Sequence, residues 1–178
     1  CLDLVYLHTC SADVLRAGEA TDALQRAHDS GKIRYTGYSG DGDDALQAIS
    51  MGAFDVLQVT FNIIDQSALD RVLPAAQRAG MGVVAKRPIA NARLLQSDSA
   101  HFHNGPHWDP VRELLKDEGV WDDPLECSLR FTLSHPVVTS AIIGTTDAGH
   151  ARENADRAKA EPLSPRLLDA LHNLALAD

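Results

Sequence analysis

Short runs of β-forming residues alternate with longer helical segments along the whole chain, and few folds accommodate that pattern. Strands are predicted over residues 4–7, 33–39, 56–60, 83–85 and 138–143. The predicted helices are 13–28, 43–51, 67–79, 111–116, 125–133 and 148–158, with a last one after Ser164 and a loop over 91–110. The alternation is typical of βαβ units and a parallel sheet. Five parallel strands fit an open doubly wound sheet or part of a barrel, and periodicity does not choose between these folds.

Composition and charge narrow the class of protein. The 178 residues contain no linker or low-complexity segment, so we predict a single domain over residues 1–178. A net charge of −9 disfavours a nucleic-acid partner, because an acidic surface repels phosphate. No apolar run approaches the roughly 20 residues that span a bilayer, so no membrane association is expected. Three scattered cysteines, interpreted as reduced thiols, favour a cytoplasmic protein, and the oligomeric state is not indicated.

Each predicted strand ends in a polar residue or a glycine. Ligands bind at the carboxyl ends of the strands in parallel α/β folds, so these residues are candidate contacts. A neutral His8 imidazole could polarise a substrate carbonyl, or it could be a buried structural histidine, and both interpretations stay open. No G-x-G-x-x-G fingerprint follows any strand, which disfavours a doubly wound dinucleotide-binding fold. The strand-end candidates are His8, Ser39, Gly40, Gln58, Lys86, Arg87, Gly144, Thr145 and Thr146.

The last predicted strand leads into a loop and then a helix, an arrangement that can bind anions. A helix N-terminus offers unpaired N–H groups and a partial positive charge to a phosphate. Residues 142–146, followed by the helix over 148–158, have this form. Many strand–helix junctions bind nothing, so the pattern alone is weak support for a phosphate site.

Five blocks of the sequence, in order, resemble the aldo/keto reductases. The blocks are residues 3–8 (DLVYLH), 31–39 (GKIRYTGYS), 57–62 (LQVTFN), 84–90 (VAKRPIA) and 142–154, which contains IIGTT and EN. They cover almost the whole chain. The resemblance implies an α/β fold of the (β/α)8 TIM-barrel type, of which the five strand–helix units would be the last five.

The resemblance implies roles for residues at the reacting end of a nicotinamide cofactor. His8 matches the catalytic histidine that orients the substrate carbonyl. Ser39 and Gln58 match residues that hold the nicotinamide carboxamide. The family usually has asparagine where Gly40 stands, so one carboxamide contact is expected to be lost or replaced.

The eighth-strand block of the family corresponds to the adenosine end of the cofactor. Gly144, Thr145 and Thr146 match the loop that wraps the adenosine phosphates. Glu153 and Asn154 match residues that contact the adenine. The resemblance therefore implies a cofactor-binding site at this end of the chain.

Two departures from the family concern the cofactor. Lys86 stands where the seventh strand often supplies an aromatic ring. We expect Lys86 or Arg87 to contact the pyrophosphate or the nicotinamide ring, since guanidinium groups bind phosphate and stack. Gly144 and His150 stand where many NADPH-specific members place a lysine and an arginine around the 2′-phosphate. The expected cofactor is NADP(H), with NAD(H) as the alternative.

The family's catalytic tyrosine, with its aspartate and lysine partners, comes from strands that precede the one beginning this chain. Tyr6, Tyr35 and Tyr38 do not match its motif. We therefore expect the natural polypeptide to extend upstream with three further strands and the proton donor. The strand at 4–7 is apolar and unguarded by lysine or proline, so residues 1–178 alone are expected to aggregate or to form an inactive dimer.

The expected function is NAD(P)H-dependent reduction of an aldehyde or ketone, with a small-molecule carbonyl substrate that the sequence does not identify. One alternative is a non-catalytic nicotinamide-nucleotide-binding regulatory protein of the same fold. Another is an inactive fragment that needs a second chain. His101, His103 and His107 could bind a metal, but no carboxylate pattern accompanies them, so no metal is expected.

Overall fold

The computed structural model describes residues 1–95 and 108–176, and the elements below belong to this part of the chain. The strands are β1 (Leu2–His8), β2 (Ile33–Ser39), β3 (Val56–Thr60), β4 (Gly82–Lys86) and β5 (Ser140–Ile142). The first helices are α1 (Ala12–Ala17), α2 (Glu19–Asp29), α3 (Gly42–Met51) and α4 (Val72–Arg78). They are followed by a 3₁₀ segment (Ala90–Leu95), α5 (Trp108–Asp117), α6 (Pro124–Leu133), α7 (Ala148–Arg157) and α8 (Pro165–Leu176).

The strands form one five-stranded sheet whose order, β1-β2-β3-β4-β5, follows the order of the chain. The β1–β2 and β2–β3 pairs are parallel, and their register places His8 beside Ser39 and Ser39 beside Gln58. A doubly wound sheet reverses its strand order at the ligand site, whereas successive units of a barrel do not. The observed order confirms the α/β architecture that the family resemblance implies.

Two compact units make up the chain. Unit 1 comprises Cys1–Thr60 and Ala68–Val84. Its core forms where α2 packs on β2 and α3 packs on β2 and β3, which removes apolar surface from water. Helix α1 packs against α2 and α3, and α4 packs against α3. The side chains of Leu15, Tyr38, Leu57 and Leu73 are fully buried there.

Unit 2 comprises Phe61–Ser67 and Ala85–Asp178. Phe61 packs against Phe131 and His135, with ring centroids 5.4 and 4.8 Å away, and Leu129 and Leu171 complete the buried core. Burial lowers the pKa of His135, so its imidazole packs as a neutral ring. The division into two compact units does not test the single domain predicted over residues 1–178, which stays a prediction.

The single helix predicted over 13–28 is wrong, because the chain breaks there into α1 and α2. Gly18 takes a left-handed conformation with a φ of 81° and donates its N–H to the carbonyls of Val14 and Leu15. This is the usual helix-ending geometry for glycine, which carries no β-carbon to clash. The apolar periodicity continues across the break and therefore hides it.

Three other predicted boundaries differ from the structure. The helix predicted from Ser67 begins at Val72, because Ser67 is held in a turn by the Asp65 carboxylate through its hydroxyl at 2.7 Å. The strand predicted over 138–143 is limited to Ser140–Ile142. The loop predicted over 91–110 contains the end of the 3₁₀ segment and the start of α5, and its centre, 96–107, lies outside the described residues. Within the described ranges, no helix combines the length and the apolarity that crossing a membrane requires.

Candidate functional site

The ends of β1, β2 and β3 bring three predicted site residues together in unit 1. Ser39 lies between His8 and Gln58 in the strand register. The Ser39 hydroxyl donates to Gln58 Oε1 at 2.9 Å, and the Gly40 N–H donates to the Gln58 carbonyl at 3.2 Å. Ser39 is only 2% exposed, so the half-buried Gln58 amide is the part of this pair that a ligand reaches. With its Oε1 engaged, Gln58 can offer Nε2–H donors to a ligand carbonyl.

Gly40 is a glycine because Tyr38 occupies the adjacent space. A β-carbon at Gly40 would lie 2.5 Å from the Tyr38 hydroxyl oxygen. Tyr38 is 1% exposed, and its hydroxyl donates to the Cys10 carbonyl at 2.6 Å, so its ring cannot move aside cheaply. The asparagine that the family usually has at this position would collide with the ring. The packing of Tyr38 therefore explains why residue 40 has no side chain that could contact the carboxamide.

Burial, aided by the carboxylate of Asp44, raises the pKa of Tyr38 to about 12. Its proton is also engaged at Cys10. This phenol is consequently a structural group, poorly suited to donate a proton at neutral pH.

His8 is exposed at the end of β1. Its Nδ1 lies 2.9 Å from the hydroxyl oxygen of Thr9. Thr9 has a φ of 56°, in the left-handed region that β-branched residues avoid. The imidazole is thus accessible and held by a neighbour in an uncommon backbone conformation.

A cavity of about 570 Å³ lies within unit 2, a size typical of small-molecule sites. It is formed by the end of β4, the 3₁₀ segment and the junction between β5 and α7. Of the residues predicted to bind cofactor in this unit, all except Thr146 line it. The predicted residues in its wall are Lys86, Arg87, Gly144, Thr145, His150, Glu153 and Asn154.

The backbone of the cavity wall contains several left-handed residues. Arg87, Asn91 and Ala92 have φ values of 56°, 55° and 58° and all line the cavity. Such conformations are unfavourable for residues other than glycine and occur often at ligand sites. The sequence offers no signal at Arg87 or Ala92, because among the three only Asn91 is a residue type that often takes this conformation.

The N-terminus of α7 carries its own anion. The Asp147 carboxylate accepts hydrogen bonds from the N–H groups of Gly149 at 2.6 Å and His150 at 3.0 Å. The Thr145 hydroxyl oxygen accepts the N–H of Asp147 at 3.1 Å. These backbone bonds hold the pKa of Asp147 below its usual range, so the group is ionised at neutral pH. Two of the N–H groups that were predicted to bind phosphate are therefore already bonded to Asp147. An Asp immediately before a helix is a capping signal that can be recognised in the sequence.

Two predicted adenine contacts, Glu153 and Asn154, lie beside an arginine that the sequence analysis did not single out. The Arg157 guanidinium donates to Asn154 Oδ1 at 3.1 Å and lies 3.6 Å from Glu153. Its Nε donates to Asp123 at 2.7 Å. Asn154 is buried, whereas Glu153 is exposed and more accessible to a ligand. Arg157 also lines the cavity. Asp123 is far from Arg157 in the sequence, and the two side chains meet only in the folded protein.

The remaining predictions concern Thr146 and a metal. Thr146 is exposed and does not line the cavity. His101, His103 and His107 lie outside the described residues. Among the residues that the structure describes, no cluster of histidine, cysteine, aspartate and glutamate side chains could hold a metal ion.

Known structures share this fold over nearly the full chain. An aldo-keto reductase from Bacillus halodurans, in its holo form, superposes with a TM-score of 0.78 at 24% identity, covering 99% of this chain and 62% of that one. An aldo/keto reductase from Klebsiella pneumoniae, solved with NADP and acetate, has a TM-score of 0.69 at 22% identity, covering 98% and 59%. These likenesses confirm the predicted fold class.

Sequence comparisons identify the family. D-threo-aldose 1-dehydrogenase from Pseudomonas sp is 25% identical over 173 residues, which cover 90% of this chain and 53% of that protein. The chain spans about half the length of the curated relatives it matches. The model of the Aldo/keto reductase family matches residues 1–175. The chain therefore belongs to the aldo/keto reductase family.

Proposed function

We propose that the protein is an oxidoreductase that uses a nicotinamide cofactor to reduce an aldehyde or ketone to an alcohol. The observation that carries this proposal is the unit 2 cavity, whose wall contains seven of the predicted cofactor contacts. Membership of the aldo/keto reductase family also supports it. The proposed partner is a small-molecule carbonyl compound, and the proposed compartment is the cytoplasm.

The donor set of the cavity fits the adenosine and phosphate part of a dinucleotide. Lys86, Arg87 and His150 offer positively charged or hydrogen-bonding groups for phosphate oxygens. Apolar side chains of Ile142 and Leu125 in the same wall offer contacts for a base. We propose that Glu153 contacts the adenine, with Asn154 supporting it from its buried position.

In unit 1 we propose that Gln58 donates to the carboxamide oxygen of the nicotinamide, held in position by Ser39. His8 would donate a hydrogen bond to the substrate carbonyl oxygen and so stabilise the negative charge that develops there. The cofactor would supply the hydride. No residue described above is assigned as proton donor, because Tyr38 is buried and its pKa is raised to about 12.

The choice between NADP(H) and NAD(H) depends on the α7 junction. The family's general use of NADP supports NADP(H), as expected from the sequence. The ionised Asp147 argues in the other direction, because its carboxylate accepts the N–H of His150, near which the 2′-phosphate is proposed to bind. The negative carboxylate of Asp147 would repel a 2′-phosphate bound near it and so weaken its binding.

Binding and turnover measurements test the proposal. NADPH and NADH are titrated by calorimetry into the complete natural polypeptide, and its consumption of the reduced nicotinamide is followed with small aldehydes and ketones. We expect binding of at least one nucleotide, turnover of a carbonyl, and an affinity loss of about tenfold for Lys86→Met, the loss of one charged hydrogen bond.

Lys116→Met is the matched control, because it removes the same charge from an exposed position on α5 outside the cavity wall. Its nucleotide affinity should equal that of the wild type. Nucleotide binding without any turnover would favour the non-catalytic regulatory alternative. An absence of binding to either nucleotide would overturn the proposal.

A further inference from the structure

We propose that Thr9 positions the imidazole of His8 by donating its hydroxyl hydrogen to Nδ1, which leaves the ring proton on Nε2. The use of that Nε2–H toward a carbonyl rests on the proposed function above. The assignment of Thr9 as a positioning residue rests on the geometry of the β1 end alone.

The first observation is the contact itself. Thr9 Oγ1 lies 2.9 Å from His8 Nδ1, within hydrogen-bonding distance. In a neutral imidazole one nitrogen carries a proton and the other accepts, and the partner of each nitrogen decides which is which. An imidazole nitrogen accepts more strongly than an alcohol oxygen does, so the threonine hydroxyl is the donor and the ring proton stays on Nε2.

The second observation is the backbone of Thr9. Its φ of 56° places a β-branched residue in the left-handed region, where steric strain is expected and glycine or asparagine is the usual occupant. A strained conformation persists when its surroundings over-determine it, and such residues cluster at functional sites. A threonine is thus held where a glycine would be more stable, with its hydroxyl directed at a candidate catalytic ring.

Three hydrogen bonds fix the backbone on either side of Thr9. The Thr9 N–H donates to the Ser39 carbonyl at 3.1 Å. The Tyr38 hydroxyl donates to the Cys10 carbonyl at 2.6 Å, and the Ala12 N–H donates to the Asp44 carboxylate at 2.8 Å. The segment after His8 is therefore tied to β2 and α3, which explains how the unfavourable φ is maintained.

The test distinguishes the effect of the Thr9 hydroxyl from the effect of the branched shape of the Thr9 side chain. Thr9→Val keeps the branched shape and removes the hydroxyl, while Thr9→Ser keeps the hydroxyl. Nitrogen-15 shifts of the His8 ring are recorded at alkaline pH, with the signals assigned by their loss in His8→Gln. We expect the Nε2–H form in the wild type and in Thr9→Ser, and a mixture of the two tautomers in Thr9→Val.

Turnover provides a second measurement. Thr9→Val should lower kcat about tenfold with little change in the nucleotide affinity, and Thr9→Ser should restore most of the loss. Thr9→Gly should raise the urea midpoint of unfolding, because it removes the strain, yet show the same tautomer mixture as Thr9→Val.

Equal tautomer populations in the wild type and in Thr9→Val would overturn the proposal, as would an Nδ1–H form in the wild type. The ring spectrum needs no substrate. Failure of the protein to reduce any carbonyl, with the tautomers as expected, would count against the proposed function and leave the role of Thr9 intact.

Discussion

At the scale of single residues, two glycines that match cofactor contacts have opposite surroundings. Gly40 faces the Tyr38 ring at a distance that leaves no room for a β-carbon. Among the described residues, no atom lies within 4 Å of the position that a β-carbon would take at Gly144. One glycine is therefore required by packing, and the other leaves open space at the cavity wall.

The two glycines predict different responses to alanine. Gly40→Ala should lower the free energy of unfolding by about 1–3 kcal/mol, because the new methyl group displaces a buried, hydrogen-bonded tyrosine. Gly144→Ala, the matched control, should change it by less than about 0.5 kcal/mol. Urea denaturation measures both. Equal effects of the two substitutions would contradict the packing role of Gly40.

A cation at Gly144 should change the choice of nucleotide. Gly144→Lys fits the open space and adds a positive charge to the cavity wall, so we expect NADPH to bind about threefold to tenfold more tightly while NADH binding is unchanged. Competitive titration of the two nucleotides measures the ratio, and the gain should fade with added salt. Gly144→Gln controls for side-chain length. An equal gain for both nucleotides would argue against a 2′-phosphate near this residue.

At the scale of secondary structure elements, Asp123 links α6 to α7. Its carboxylate caps α6 by accepting the N–H groups of Leu125 at 2.9 Å and Glu126 at 3.1 Å, and it also accepts the Arg157 guanidinium of α7. Burial alone raises the pKa of Asp123, but the hydrogen bonds from Arg157 and from the backbone outweigh burial, and the pKa lies below its usual range. The ionised form therefore stabilises the folded state.

The stability that Asp123 contributes should depend on pH. Because its pKa is lower when folded than the ordinary value of about 3.9, the contribution is present above that value and is lost as the pH falls through the folded pKa. Asparagine caps a helix as well as aspartate does, so Asp123→Asn removes mainly the charge that pairs with Arg157. It should therefore destabilise the protein by about 1 kcal/mol at neutral pH and by much less in acid. Urea midpoints measured across this range test the prediction. A difference that persists unchanged in acid would contradict it.

At the scale of the whole molecule, we expect β1 to control the self-association of residues 1–178 when they are produced alone. β1 is the first strand in the sheet order, and it pairs with β2. It contains a nearly continuous apolar sequence, and Leu2 is 63% exposed. Its charged residue, Asp3, is paired with Arg34 at 2.8 Å, and the strand contains neither lysine nor proline, so an exposed β1 edge favours pairing with another chain.

A lysine at the start of β1 should therefore reduce self-association. We expect residues 1–178 to self-associate when produced alone and Leu2→Lys to lower the weight-average mass in sedimentation experiments. Val14→Lys on α1 is the control, since Val14 is a similarly exposed apolar residue on a helix, at 48%. A wild-type chain that stays monomeric at high concentration would contradict the prediction, as would equal effects of the two lysines.

Local patterns determined most of the element types. Residues 33–39 and 56–60 are the same strands in the prediction and in the structure, because apolar periodicity and β-branched residues are local properties. The break between α1 and α2 at Gly18 was not predicted, because the apolar periodicity is continuous across it. The order of residue types also carried the family resemblance, and with it seven of the residues that line the unit 2 cavity.

Only the tertiary structure decided the contacts between residues that are far apart in the chain. It also decided the backbone angles that those contacts impose. Tyr38 excludes a side chain at Gly40 because its hydroxyl reaches Cys10, and the strained φ of Thr9 is held by bonds to β2. Arg157 meets Asp123 only after α6 and α7 pack. Composition and spacing carry no trace of such features, because each depends on the relative placement of segments that the chain brings together only when it folds.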